Sequence, residues 1–384
     1  MAREFMVPPK LITGTDALKE AVRELGRMGK KALIVTGPHL EKLGKAEELR
    51  KELKKEGTDG IIFSEITGEP TDEMVKKGLA RYVEEGCDFL VGFGGGSPLD
   101  TMKAIAVLAV KGGSISDFMG KTIEAKLPPM AAIPTTAGTG SEATRFTVVT
   151  DTKTNVKMLL NGECLIPDLA IVDPLLTVSA PKTVTAATGL DALTHAAEGY
   201  TSRKAMELSD VFALSALKRI FTYLPRAYQN GNDLEARAQM ALAAFEAGVV
   251  INNSSVTLVH GMSRPIGALF HVPHGMSNAM LLQVCFHFAK DGAVSRFAEM
   301  ARTIGKAGME ESDEMAAEKF LKAVQEICMI CEIPTLKEYG IDKEKFFENI
   351  EKMAGDAIAS GSPGNTRKAI TKEDVCTMYR ALWE

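Results

Sequence analysis

An α/β half followed by an all-helical half is the fold class this sequence predicts, and three observations predict it. Short β-branched runs alternate with stretches of helical period through roughly the first half of the chain, the pattern of a parallel sheet covered by helices. From about Pro181 the texture changes to long stretches rich in Ala, Leu, Met, Glu and Lys, which read as helix after helix. The 384 residues also exceed the size at which one core keeps growing. The expected domains are therefore residues 1–180, α/β, and residues 181–384, all helical, packed closely with no linker of low complexity between them.

Residues 31–36 (KALIVT) read as a buried strand, 40–56 as a helix, 60–63 as a strand, 72–85 as a helix and 89–93 as a further strand. In such a β-α-β-α-β order the ligand lies beyond the carboxyl ends of the strands, here in the loops after Thr36 and Phe93. A strand at 131–134 leads into TTAGTGSE. Residues 147–150 and 155–160 flank DTKT as a hairpin, and 170–173 closes this half. The turn-rich segment GSPGNTRK at 361–368 has no functional reading.

A formal charge of -5 gives no reason to expect nucleic acid or an anionic membrane as partner. The N-terminal MAREFMVPPK lacks the apolar core of a secretory signal, and the apolar runs are too short to span a bilayer, so a cytoplasmic protein is expected. Six cysteines thinly spread over the chain read as free thiols, with Cys328 and Cys331 as buried neighbours at a helix end.

Gly94, Gly95, Gly96 and Ser97 follow the strand at 89–93, with Pro98 at the first turn of the next helix. Consecutive glycines let a backbone approach a pyrophosphate, and free N–H groups at the helix start supply donors and partial positive charge. A strand-to-helix turn without a ligand is the plainer use of the same residues. The run differs from the usual GxGxxG after the first strand, which argues against an ordinary Rossmann enzyme. The loop at 134–142 (PTTAGTGSE) adds hydroxyls suited to phosphate or ribose, or to capping a helix.

Asp191 and His195, in TGLDALTHAAEG, are four apart in a helical context and leave the same face. His260 and His274, in VHGMSRPIGALFHVPHG, bracket a turn-bearing segment. Three imidazoles and one carboxylate make a ligand set for a divalent transition metal, with His271, three residues before His274, as the substitute in principle for the third imidazole.

With GGGSPLDTMKA, IPTTAGTGSEAT, GLDALTHAAEGY and the H-x13-H ending in VPHG, the chain resembles the iron-containing alcohol dehydrogenase family along nearly its whole length. The resemblance implies an N-terminal dinucleotide-binding α/β domain, a C-terminal all-helical domain and a metal in the cleft. It makes Asp191, His195, His260 and His274 the metal ligands, with iron(II) as the family's ion and zinc as the other ion this set suits. Gly95, Gly96 and Ser97 become the pyrophosphate cradle and Asp100 a neighbour of the cofactor. Thr135, Thr136, Thr139, Thr144 and Lys157 match positions lining the nucleotide.

The activity implied is hydride transfer between a nicotinamide and a small alcohol or aldehyde, the metal acting as Lewis acid on the substrate oxygen, with His271 read as a proton carrier, a group behind the ligands, or structural filler. Where NAD-preferring members carry an Asp after the first long strand this chain has Gly37, and where many carry an Asn before Pro-Thr it has Glu69. Without an acid to repel a 2′-phosphate, the expected cofactor is NADP or NAD, with a slight tilt to NADP. The resemblance also implies a homo-oligomer. Zinc-dependent glycerol dehydrogenases and dehydroquinate synthases share the architecture and stand as the alternative.

Overall fold

The structure, a computed structural model, describes residues 2–154 and 156–383. The chain divides into two compact units, Met6–Ser179, and Met1–Phe5 together with Ala180–Glu384.

The first unit runs β1 (Lys10–Thr13), α1 (Ala17–Met28), β2 (Lys31–Val35), α2 (Pro38–Lys42), α3 (Lys45–Lys55), β3 (Asp59–Phe63), α4 (Asp72–Glu84), β4 (Phe89–Gly94), α5 (Gly96–Lys111), β5 (Met130–Pro134), β6 (Phe146–Asp151), β7 (Val156–Asn161) and β8 (Leu169–Val172). Six strands form a parallel sheet in the order β1-β8-β5-β4-β2-β3, and β6 pairs with β7 as an antiparallel hairpin.

A parallel sheet covered on both faces needs strands apolar at every position, because successive side chains point to opposite sides. Ala32, Ile34, Phe89 and Val91 accordingly join Leu25 of α1 and Leu49 and Leu53 of α3 in one core. Leu33, Val35 and Leu90 join Val75 of α4 and Leu99, Met102 and Ile105 of α5 in the other. The chain leaves β2 toward β3 and returns on the opposite side at β4. The loops after β2 and β4 therefore part at a switch point, the usual ligand position in an open α/β sheet.

Two expectations are corrected here. The helix read over 40–56 is two helices, because Gly44 takes a left-handed φ of 73° and starts α3 anew. An edge strand and helix, β1 and α1, also precede the pattern read from sequence, so the glycine turn follows the fourth strand in chain order. β1 is short, partly exposed and paired with β8, which leaves it no long apolar run to be recognised by. Asn155, placed at the start of the second hairpin strand, lies outside the described residues.

The second unit is helical: α6 (Lys182–Thr201), α7 (Glu207–Gln229), α8 (Leu234–Ser254), α9 (Leu258–Phe270), α10 (His274–Lys290), α11 (Val294–Thr303), α12 (Asp313–Ile330), α13 (Lys343–Ala359) and α14 (Lys372–Ala381). α6 packs against α7, α8, α9 and α10 and is buried from Gly189 to Thr201 without a break. Among the described residues no single helix is long and apolar enough to cross a membrane. All six cysteines are free thiols.

One fully buried cation ties the first unit together. Lys103 of α5 donates from Nζ to the carbonyls of Ser141 (2.7 Å), Thr144 (2.8 Å) and Phe146 (2.9 Å), which pins the segment after β5 onto α5. Asp100, one turn earlier, accepts from Ser141 Oγ at 2.6 Å and Val148 N at 3.0 Å. Burial pulls Lys103 down to about 8, against the pull of Asp100 and Glu142, and pushes the buried Glu142 up to about 7.

Glu142 therefore binds its proton more tightly in the folded protein than at its ordinary value of 4.5, and this group's contribution to stability is lost as pH rises toward about 7. Glu142→Gln should flatten that slope. Urea midpoints measured across this pH range should decline less in the variant than in the wild type, and parallel declines would contradict the assignment.

Candidate functional site

α6 places Asp191 and His195 one turn apart on the face turned toward α9 and α10. His260 lies in the first turn of α9, and His274 is the first residue of α10. Asp191 Oδ1 is 3.7 Å from His195 Nε2, 3.8 Å from His260 Nε2 and 3.7 Å from His274 Nε2. The four ligand atoms all lie within 4.8 Å of one another. Gly275 makes this convergence possible: a Cβ there would stand 2.5 Å from the Ala187 carbonyl of α6.

Three of the four side chains are almost fully buried, and that of His274 is 38% exposed. Burial, then the neighbouring His195 and His274, hold His260 well below its ordinary pKa, so its imidazole is neutral. Burial also opposes the charge of Asp191, but the imidazoles and the Asn278 amide outweigh it and leave its pKa below the ordinary carboxylate value. The result is a buried carboxylate ringed by three imidazoles. This donor set fits a divalent transition metal in kind and in spacing.

Two residues that the sequence reading passed over complete the surroundings. Glu198, fully buried on α6, accepts from Thr257 N (3.1 Å), Thr257 Oγ1 (2.8 Å) and Val259 N (2.5 Å), and its Oε2 lies 2.6 Å from His260 Nδ1. With Nδ1–H donating to Glu198, the Nε2 lone pair of His260 faces the other donors, an arrangement common around metal-binding histidines. Asn278, fully buried one turn after His274, places Nδ2 at 2.7 Å from Asp191 Oδ1. The spacing of 191, 195 and 198 along one helical face was the sequence signal for Glu198, and His274 plus four that for Asn278.

His271 stands apart. It is exposed, caps the end of α9 with a left-handed φ of 55°, and is not one of the four clustered residues.

In the first unit Gly95 caps α5, and Gly96 and Ser97 form its first turn, which carries no acidic side chain. The N–H groups and positive dipole end are therefore uncovered by any local carboxylate. Thr135 follows β5 directly, its N–H donating to the Gly94 carbonyl at 2.8 Å, and Thr139 packs where a Cβ on Gly96 would come within 2.8 Å of its methyl. Thr136 lies 3.6 Å from the corresponding position of Gly95. Thr144 is buried with its hydroxyl on Lys103, and the Asp100 carboxylate is taken up by Ser141 and Val148.

Lys157 and Glu69, read separately from sequence, form an ion pair at 2.7 Å. Gly37 caps α2, and a Cβ there would stand 2.9 Å from the Ile66 carbonyl. That close approach accounts for the glycine without reference to a cofactor.

Residues 8–174 match the family model of iron-containing alcohol dehydrogenase, and residues 185–383 match that of the C-terminal part of the Fe-containing alcohol dehydrogenase family. The chain is 38% identical to an NAD-dependent methanol dehydrogenase of Bacillus methanolicus, over 98% of each. It is 36% identical to a 1,3-propanediol dehydrogenase of Klebsiella pneumoniae, over 95% of this chain and 96% of that one. An alcohol dehydrogenase from Oenococcus oeni superposes with a TM-score of 0.95 at 32% identity, covering 99% of this chain and 100% of that one.

The contact between Glu198 and His260 yields a direct expectation. Glu198→Gln keeps the size of the side chain but replaces a carboxylate, both of whose oxygens accept, with a neutral amide that has one accepting oxygen, and should weaken Fe(II) binding by roughly 10–100-fold. Competition with a chromophoric chelator measures this, and an affinity equal to wild type would show that Glu198 does not tune the site.

Proposed function

The chain belongs to the iron-containing alcohol dehydrogenase family and is a metal-dependent alcohol dehydrogenase or aldehyde reductase, and from that premise we propose which of its residues do the work. Asp191, His195, His260 and His274 hold the divalent metal, with iron(II) as its ion. The turn Gly95-Gly96-Ser97 and the hydroxyls of Thr135, Thr136 and Thr139 hold a nicotinamide dinucleotide. The observation that carries the reading is the convergence of four donor atoms around a buried carboxylate.

A metal there supplies Lewis-acid polarisation of a substrate oxygen, and the nicotinamide supplies or accepts the hydride. The chain's residues prepare for that chemistry. Asp191 contributes the carboxylate of the set, and His260 stays neutral, its nitrogen free to bind without first losing a proton. Glu198 fixes the orientation of His260. The partly exposed His274 marks the side from which a substrate oxygen can arrive, while Asp191, His195 and His260 lie on the dry side. At the other site, the acid-free first turn of α5 accepts a pyrophosphate.

Relatives named for methanol and 1,3-propanediol support small alcohols and their aldehydes as the substrate class. The glycerol dehydrogenase and dehydroquinate synthase alternatives are not favoured, since both halves match iron-containing models.

The tilt toward NADP loses its support, because the Ile66 carbonyl explains Gly37 and the methanol dehydrogenase is named for NAD. What survives is that position 37 holds no carboxylate to repel a 2′-phosphate, so the enzyme is expected to use NAD(H) and to tolerate NADP(H).

Two measurements check these assignments. His260→Ala should retain its helical circular dichroism yet lose metal and turnover, by more than the roughly 10–100-fold expected of an outer-shell change. A variant that keeps both would remove His260 from the site. For the cofactor, the wild type gives the cleaner test because any side chain at 37 meets Ile66. The two kcat/KM values should lie within about a hundredfold, roughly 3 kcal/mol, and turnover with NAD alone would rule out tolerance of NADP.

A further inference from the structure

The carboxamide of Asn278 reaches into the donor set itself. Its Nδ2 lies 2.7 Å from Asp191 Oδ1, 3.2 Å from His260 Nε2 and 3.2 Å from His274 Nε2, so one atom of this side chain touches three of the four donor atoms. At its other end Oδ1 is buried and has no hydrogen-bond partner among the described residues. Asn278 is fully buried on α10, one turn after His274, and the helix fixes the direction from which it enters.

The two ends of an asparagine amide have nearly the same shape, and a half-turn about the last side-chain bond exchanges them. When those three donor atoms hold a dication, an NH2 group beside them would turn its protons toward a positive charge. A carbonyl oxygen in that place turns its negative end toward the ion instead. The exchange costs Oδ1 no hydrogen bond, while the NH2 group leaves Asp191, His260 and His274 for the position that Oδ1 vacates.

Resting on the four-residue reading of the site, we propose that Asn278 is a fifth donor of the metal centre, supplying its carboxamide oxygen to the bound divalent ion. The consequence is selectivity. Zinc in protein sites settles at four ligands, or three with an open position, whereas iron(II) accommodates higher coordination and oxygen donors. A fifth, oxygen donor therefore tips a set of three imidazoles and one carboxylate toward iron.

The test compares wild type with Asn278→Leu and Asn278→Asp, using chelator competition with Fe(II) and with Zn(II), and the visible absorption of the Co(II)-loaded protein. Asn278→Leu should lower Fe(II) affinity by more than the roughly 10–100-fold of an outer-shell change, while Zn(II) affinity falls less. Its Co(II) bands should intensify, the mark of a change from five- or six-coordinate to four-coordinate geometry. Asn278→Asp, which keeps an oxygen in place, should hold Fe(II) at least as tightly as wild type and keep the weaker bands.

Wild-type Fe(II) affinity and an unchanged Co(II) spectrum in Asn278→Leu would overturn the proposal while leaving the four ligands standing. If Asn278→Leu does not fold, Asn278→Asp decides: weakened Fe(II) binding or intensified bands would refute an oxygen donor at this position. A wild-type protein that binds none of the three metals would instead refute the four-residue site from which the proposal starts.

Discussion

A carboxylate held out of water must be compensated by positive charge, and Asp191 is such a carboxylate. His260, 3.8 Å away, is kept neutral by burial, while His195 and His274 help hold the carboxyl below its ordinary pKa. The nearby cation Arg264 sits on α9 beside Glu198 and offsets that second buried acid rather than Asp191. The proposed divalent ion would add its charge at this carboxylate, and the helical unit is built so that the donors converge. α6 is buried almost all round, α9 and α10 enter against it, and Gly275 lets α10 come close enough for His274 to join the set.

The same physics recurs in the sheet-containing unit with the signs reversed. Lys103 is a buried cation, and three backbone carbonyls together with the nearby Asp100 carboxyl make its burial tolerable. Because those carbonyls belong to residues 141–146, the threonine loop between β5 and this segment is anchored at both ends. The proposed cofactor cradle thus rests on a rigid support rather than on a free loop, which suits a site that must hold a ligand in a fixed orientation.

Much of this was legible in the sequence, and the parts that were not share a cause. The strands at 31–35, 89–94 and 130–134 are buried on both faces and so read as unbroken apolar runs. The exposed edge strand β1 has no such signature. Asp191 and His195 share a helical face by spacing alone, but their approach to His260 and His274 depends on helix packing that periodicity does not encode. Glu198 and Asn278 look like ordinary helical residues until the fold brings them against His260 and Asp191. Lys103, set within the apolar MKAIAVLAV, was a visible sign of a buried charge, yet its partners lie some 40 positions away. Gly37 misled for the opposite reason: its explanation is a contact with Ile66 that only the folded chain creates.

The central claim is that one divalent metal is held by Asp191, His195, His260 and His274. Anomalous diffraction from Fe(II)-loaded crystals, collected above and below the iron edge, tests it most directly. The account predicts a single strong iron peak bounded by Asp191 and the Nε2 atoms of the three histidines, at coordination distances of about 2.0–2.2 Å. Iron bound elsewhere in the chain, with no peak among these four residues, would contradict it.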